Sequence, residues 1–217
     1  MASEPLLSPV EARVLGALIE KEITTPEYYP LSLNALVNAC NQKSNRDPVV
    51  AYDDDTVEDA LELLRAKGLA VRITGSGSRV PKHAHRFGEK FNFGRRELAI
   101  LCELMLRGPQ TVGELRNRSE RMHRFDDLEQ VETILQRLME HEPDPLVLRM
   151  ARQPGEKEAR YAQLLSGEPQ AATAGAAEQA DVPRGDRITE LETEVGRLRE
   201  ELASLRAQFA EFRRQFE

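Results

Sequence analysis

Residues 55–87, DTVEDALELLRAKGLAVRITGSGSRVPKHAHRF, decide the fold. Asp55-Thr56-Val57-Glu58 reads as a capping box, Val57, Leu61 and Leu64 recur at helical spacing, and Gly68 supplies a left-handed stop. Leu69, Val71 and Ile73 then alternate with Ala70, Arg72 and Thr74, the period-two pattern of a half-buried strand. Gly75-Ser76-Gly77-Ser78 is a flexible tip. The returning strand should place Phe87, His85 and His83 inward and leave Lys82 and Arg86 outward, so that Arg72, Lys82 and Arg86 form a basic outer face. The pattern repeats about 74 positions later, where Val131, Leu135, Leu138, Arg160 and Tyr161 match Val57, Leu61, Leu64, Arg86 and Phe87.

Upstream, Ser8-Pro9-Val10-Glu11 is a capping box with Pro at the first helical position, and Val14, Leu15, Leu18 and Ile19 mark a buried face. Ser32 caps a short second helix carrying Leu33, Leu36 and Val37. In the second copy, Glu97 to Met105 forms the first helix, Thr111-Val112-Gly113-Glu114 caps the second and Asp126-Asp127-Leu128-Glu129 the third. Leu146, Leu148 and Met150 are expected inward on the returning hairpin, with Arg149 and Arg160 outward. Three helices and a hairpin, repeated, predict a mainly α chain with small β-hairpin wings (α+β). The modules are two tandem winged-helix domains, residues 7–90 and 91–165.

Residues 166–187 lose all periodicity and read as an Ala/Gly/Pro linker. In residues 188–217, Ile188, Leu191, Val195, Leu198, Leu202, Leu205, Phe209, Phe212 and Phe216 alternate spacings of three and four, the seam of a coiled-coil helix. Parallel pairing sets Arg187 against Glu192, Glu194 against Arg199 and Glu201 against Arg206, so a homodimer through this tail is expected. The other reading is a single helix docked on its own globular body.

The composition narrows the function. The chain of 217 residues has a net charge of −7, only 5% aromatic residues and no Trp, so its cores are aliphatic. No stretch is apolar enough to span a membrane and the N-terminus lacks a signal-peptide pattern, so a cytoplasmic protein without a membrane partner is expected. Cys40 and Cys102 fall on apolar helical faces and read as small buried hydrophobes. The four histidines, His83, His85, His123 and His141, show no metal-ligand spacing, and no Gly-rich loop opens a helix. No cofactor and no enzymatic activity are therefore expected.

Leu7 to Val49, LSPVEARVLGALIEKEITTPEYYPLSLNALVNACNQKSNRDPV, and Gly77 to Phe87, GSRVPKHAHRF, resemble the YceH-like family of bacterial proteins. The resemblance spans roughly residues 7–165. It implies tandem winged helices, often followed by a helical tail, and carries over no catalytic residue.

Charge placement suggests where a partner binds. Residues 79–96 hold six basic residues and one acid, whereas residues 53–67 hold six acids and two bases. Aspartates at the start of the third helix would be repelled by DNA phosphates, which disfavours major-groove reading. Arg72, Arg79, Lys82 and Arg86 on the wing could instead grip a phosphate backbone. Arg116, Arg118, Arg121 and Arg124 add a second basic stripe. Asn41 to Pro48 is overlong for a helix-helix turn, which marks Lys43, Asn45 and Arg46 as binding candidates. The expectation is a nucleic-acid-associated regulator contacting DNA through its wings, or an adaptor that binds another protein. For the tail, sedimentation should find a dimer for the full chain and a monomer for a chain ending at Gly185. A dimeric shortened chain would remove the tail's role.

Overall fold

Ser8 caps the first helix as its sequence requires: its hydroxyl accepts from the Glu11 amide at 3.2 Å and the Glu11 carboxylate accepts from the Ser8 amide at 2.7 Å. The structure is a computed structural model and describes residues 6–74, 80–152, 155–156 and 158–167. The chain divides after Gln170, and all described residues belong to the first unit, Met1–Gln170. Arg79, the tip at residues 75–79 and the whole heptad tail lie outside the described residues.

The first module runs α1 (Pro9–Thr24), β1 (Leu31–Ser32), α2 (Leu33–Cys40), α3 (Asp54–Ala66), β2 (Ala70–Ile73) and β3 (Lys82–His85). Its sheet is antiparallel in the order β1-β3-β2. A short α4 (Phe87–Phe91) leads into the second module, α5 (Arg95–Arg107), α6 (Val112–Arg118), α7 (Leu128–Met139), β4 (Val147–Arg149) and β5 (Tyr161–Gln163). There Gln110 bridges to Tyr161 through two backbone hydrogen bonds of 3.0 and 2.7 Å, the position that β1 occupies in the first module. The architecture is mainly helical with small antiparallel sheets.

The repeat is clearest at the third helices. Asp53 and Asp127 cap α3 and α7, accepting from the Thr56 and Gln130 amides at 2.9 and 2.8 Å. The first of these caps lies two residues before the expected Asp55, because Asp53 is the last residue in extended conformation. Each module also ties the third residue of its first helix to its third helix: Glu11 pairs with Lys67 just past α3, and Glu97 with Arg137 of α7.

The first strand of each hairpin sits one residue out of the expected phase, whereas His83, His85 and Tyr161 on the returning strands are buried as expected. Ala70 and Val147 are buried, while Ile73 and Leu148 are exposed. A one-residue slip turns every side chain to the other face. Here the cause is that Leu69 and Leu146 fill the core before the strands begin, hydrogen-bonding back to Leu64 and Leu138 at 2.8 and 2.9 Å.

The two modules share one contiguous core. Glu11 to Glu20 of α1 and Glu97 to Leu106 of α5 are buried around their whole circumference, as expected of helices that pack on one another at the centre of a fold. Gly16 permits the close approach, since a Cβ there would lie 3.0 Å from Leu106 Cγ and Cδ2. Cys102 Sγ donates to the Gly16 carbonyl at 3.3 Å across the same contact. The Leu7 amide donates to the Leu165 carbonyl at 2.7 Å, fastening the end of the second module beside the start of the first.

Gly16→Val should therefore destabilise the chain by about 1–3 kcal/mol through overpacking. Adding Leu106→Ala should recover part of the loss in denaturant unfolding. Equal stability of Gly16→Val and the parent would mean the helices are not in tight contact.

Candidate interaction surface

The wing of the first module does not carry one basic face. Arg72 lies opposite His83, and Ile73 opposite Lys82. Directly opposed residues share a face and successive residues alternate, so Arg72 and Lys82 point to opposite sides of the hairpin. Arg72 stands on the side of α3, close enough for its charge, with those of Arg65 and Glu58, to act on His83. Burial, then Arg65 and Arg72, push the His83 imidazolium toward the neutral ring, and among the described residues its Nδ1 has no hydrogen-bond partner. His85 is also buried, with Nε2 2.8 Å from Glu22 Oε2 and Nδ1 accepting from the Phe87 amide at 3.2 Å. Arg86 is exposed and reaches Glu89 at 3.6 Å.

The second wing repeats the arrangement with Arg149 opposite Tyr161. Arg149 is exposed, whereas Arg160, expected outward, is held by Glu114 at 2.9 Å, Glu156 at 3.1 Å and the Pro109 carbonyl. Pairing also dissolves most of the arginine stripe. Arg116 donates to the Phe125 and Asp126 carbonyls, Arg118 to Gln110 and Glu114, and Arg121 to Glu20.

The polar connection after α2 is a fastening rather than a displayed loop. Lys43 is exposed, but the Arg46 side chain is fully buried, correcting its expected place on the surface. Its guanidinium grips Glu20 with two hydrogen bonds of 3.0 and 2.6 Å and donates to the Ala39 carbonyl from Nε and Nη2. Asn45, in the left-handed region at φ 59°, accepts from Arg107 of α5, so it too faces inward. The Asp47 amide donates to the Leu106 carbonyl at 2.9 Å, and Arg13 holds the Cys40 and Pro48 carbonyls. Asn41 closes the base of the loop by exchanging hydrogen bonds with the Tyr52 backbone at 2.7 and 2.8 Å.

Two buried carboxylates meet here. Burial pushes the Glu20 carboxyl up, but hydrogen bonds and charge from Arg46, with Arg121 and Lys21, outweigh it and hold the group at about 2. Burial of Glu103 wins over Arg107 and Arg121, so its carboxyl is raised. Burial also pushes the Cys40 thiol up to about 12 and the Cys102 thiol well above its usual range, so neither offers a thiolate.

Carboxylates dominate the exposed face of α3 and share that of α7 with Thr133, Gln136 and Arg137. Asp54, Asp55, Glu58, Asp59 and Glu62 stand out from α3 around Leu63, which is 52% exposed. Glu129, Glu132 and Glu140 do the same on and just past α7, with Leu128 exposed at its start. Ile73, Val80 and Leu148 are exposed on the wings. Among the described residues, no group of three or more His, Cys, Asp or Glu side chains is placed to hold a metal ion. Nor, among them, is any helix long and apolar enough to cross a membrane.

Two helix-rich modules fused through a buried ion network define the class of this small α+β protein. Residues 7–156 match the family described as "Protein of unknown function, DUF480". The UPF0502 protein of Solibacter usitatus strain Ellin6076 is 61% identical over 197 residues, covering 89% of this chain and 93% of the relative. That of Pelobacter propionicus strain DSM 2379 is 55% identical over 220 residues, covering 99% and 100%. That of Citrifermentans bemidjiense is 58% identical over 194 residues, covering 88% and 89%. The chain belongs to the DUF480/UPF0502 family of bacterial proteins, the YceH-like family.

The loop can be tested by its effect on stability. Arg46→Ala leaves the Glu20 charge buried with only partial compensation and should cost about 3–5 kcal/mol, whereas Lys43→Ala should stay within about 0.5 kcal/mol. The Glu20 contribution should be complete above about pH 4.3, where an unfolded glutamate ionises. It should be lost as pH falls toward about 2. Equal stability of the two variants in urea at pH 7 would return Arg46 to the surface.

Proposed function

We propose that the chain is a non-enzymatic, cytoplasmic protein of two tandem winged-helix modules, dimerised through its heptad tail, that binds a protein partner. The order helix, strand, helix, helix, hairpin, with β3 between β1 and β2, supports the winged-helix reading. The observation that carries the choice of partner is the exposed third-helix surface. It presents carboxylates and an apolar residue where a DNA reader would need cations. Arg46, Arg116, Arg118, Arg121 and Arg160 are spent on carboxylates and carbonyls of the chain itself, whereas Leu63, Ile73, Leu128 and Leu148 are exposed.

A non-enzymatic role is supported by the histidines and cysteines. His83 and His85 pack into the sheet, His123 lies edge-on to Phe125 at 4.7 Å, and His141 caps the stacked Phe91 and Phe93. The alternative reading, backbone contact with nucleic acid through the wings, is favoured by Arg72, Lys82 and Arg149, whose side chains have no ion-pair or hydrogen-bond partner among the described residues.

A photo-crosslinking residue at Leu63 or Ile73 of the full chain, expressed in the native host, should give a discrete protein adduct. Glu58→Lys with Glu62→Lys should abolish it. Fluorescence anisotropy with a labelled duplex should show only weak binding. Tight duplex binding that falls steeply with salt, by several powers of the salt concentration, with no protein adduct would overturn this reading in favour of nucleic acid.

A further inference from the structure

The seam between the modules holds one buried charge that its surroundings fail to satisfy. Glu20 and Glu103 both have side chains with no exposure, and both lie beside Arg121. Glu20 is saturated by Arg46. Glu103 is not: among the described residues, neither carboxylate oxygen has a hydrogen-bond partner. Arg107 Nε is 3.0 Å away but unaligned for a hydrogen bond, and Arg121 Nη2 is 3.7 Å away. Both arginines donate elsewhere, Arg107 to Asn45 and Arg121 to Glu20. An ionised carboxylate offers about four lone-pair sites, and leaving them unmet in a buried seam is costly.

We propose that Glu103 is a proton-gated latch between the two modules, closed as in this structure when it carries a proton and released when it ionises and draws water into the seam.

The groups facing it come from every element around it. They are Glu20 of α1, Cys102 and Arg107 of its own helix, Arg118 of α6 and Arg121 of the turn that follows. Gln110 donates to its backbone carbonyl at 2.9 Å. Burial and the nearby Glu20 favour the protonated form, and the arginines only partly oppose them. The closed seam therefore binds the proton more tightly than a hydrated one, so rising pH favours the hydrated seam. Opening would free Arg121 and strain the Asp47–Leu106 backbone bond, so the first module with its loop would shift against α6 and α7. The exposed faces of α3 and α7 and the two wings would then change their mutual orientation, which, resting on the protein-binding reading proposed above, couples partner capture to pH.

The test uses the full chain with nitroxides at Asp59→Cys and Thr133→Cys, both exposed positions, mixed with an excess of unlabelled chain so that a dimer carries one labelled protomer, while the buried Cys40 and Cys102 are spared. Pulsed electron spin resonance should give one narrow distance distribution at acid pH and a second, growing population as pH rises, with a one-proton midpoint. Glu103→Gln, a permanent stand-in for the protonated acid, should hold the acid-pH distribution throughout. A distribution that ignores pH, or the same transition in Glu103→Gln, would overturn the proposal. Should Glu103→Gln fail to fold, carbon-13 NMR of the Glu103 carboxyl in the otherwise unsubstituted chain decides. Titration in step with the distance change supports the latch, and titration alongside the exposed glutamates overturns it.

Discussion

The Glu20 carboxylate, buried on α1 and gripped by Arg46, is the constraint on which the rest of the described structure depends. A charge placed in a dry interior must be met on the spot, because its desolvation penalty is several kcal/mol even after relaxation. Meeting it recruits a loop from the first module and, through Arg121, a turn from the second. The flanking residues of that loop also tie the first module to the second, since Asp47 bonds to the end of α5 and Asn45 receives Arg107. Two modules of roughly 80 residues, each with a modest core, gain rigidity from this shared polar joint as well as from the apolar contact of α1 with α5.

That joint also determines what is left for the surface. Arginines that look like a ligand-binding stripe in the sequence are turned inward or onto neighbouring carbonyls, and the acids of the third helices stay in solvent. Capping explains the first of these acids on each helix, where Asp53 and Asp127 satisfy amide donors. It does not explain Glu58, Asp59 and Glu62 further along α3, and those carboxylates shape the proposed partner surface.

Helix content and order were legible because caps and periodicity act locally. Ser8, Ser32 and Thr111 all cap as written, and Gly68 takes the left-handed conformation expected of it, at φ 67°. The hairpins were less legible. Alternation alone cannot fix which residue enters the sheet first, and Leu69 and Leu146 spend their apolar side chains on the core before the ladders begin. Charge proved the least legible property. Reading basic residues off the sequence ignores register, which separates Arg72 from Lys82, and ignores long-range pairing, which removes Arg46 and Arg160. Nothing local in Asn41 to Pro48 announces that Arg46 will find a glutamate 26 residues earlier. The nearest signal is Glu20 itself, a charged residue directly following the apolar run Leu18-Ile19 on a helix buried all round.

The central claim is that the two modules are one cooperative body joined at this buried network. Native-state hydrogen exchange tests it most directly, by comparing the slowest amides of α3, at Leu61 and Leu64, with those of α7, at Leu135 and Leu138. A single opening free energy with a common denaturant dependence is the predicted result. Exchange that opens one module at markedly lower free energy while the other stays protected would contradict it.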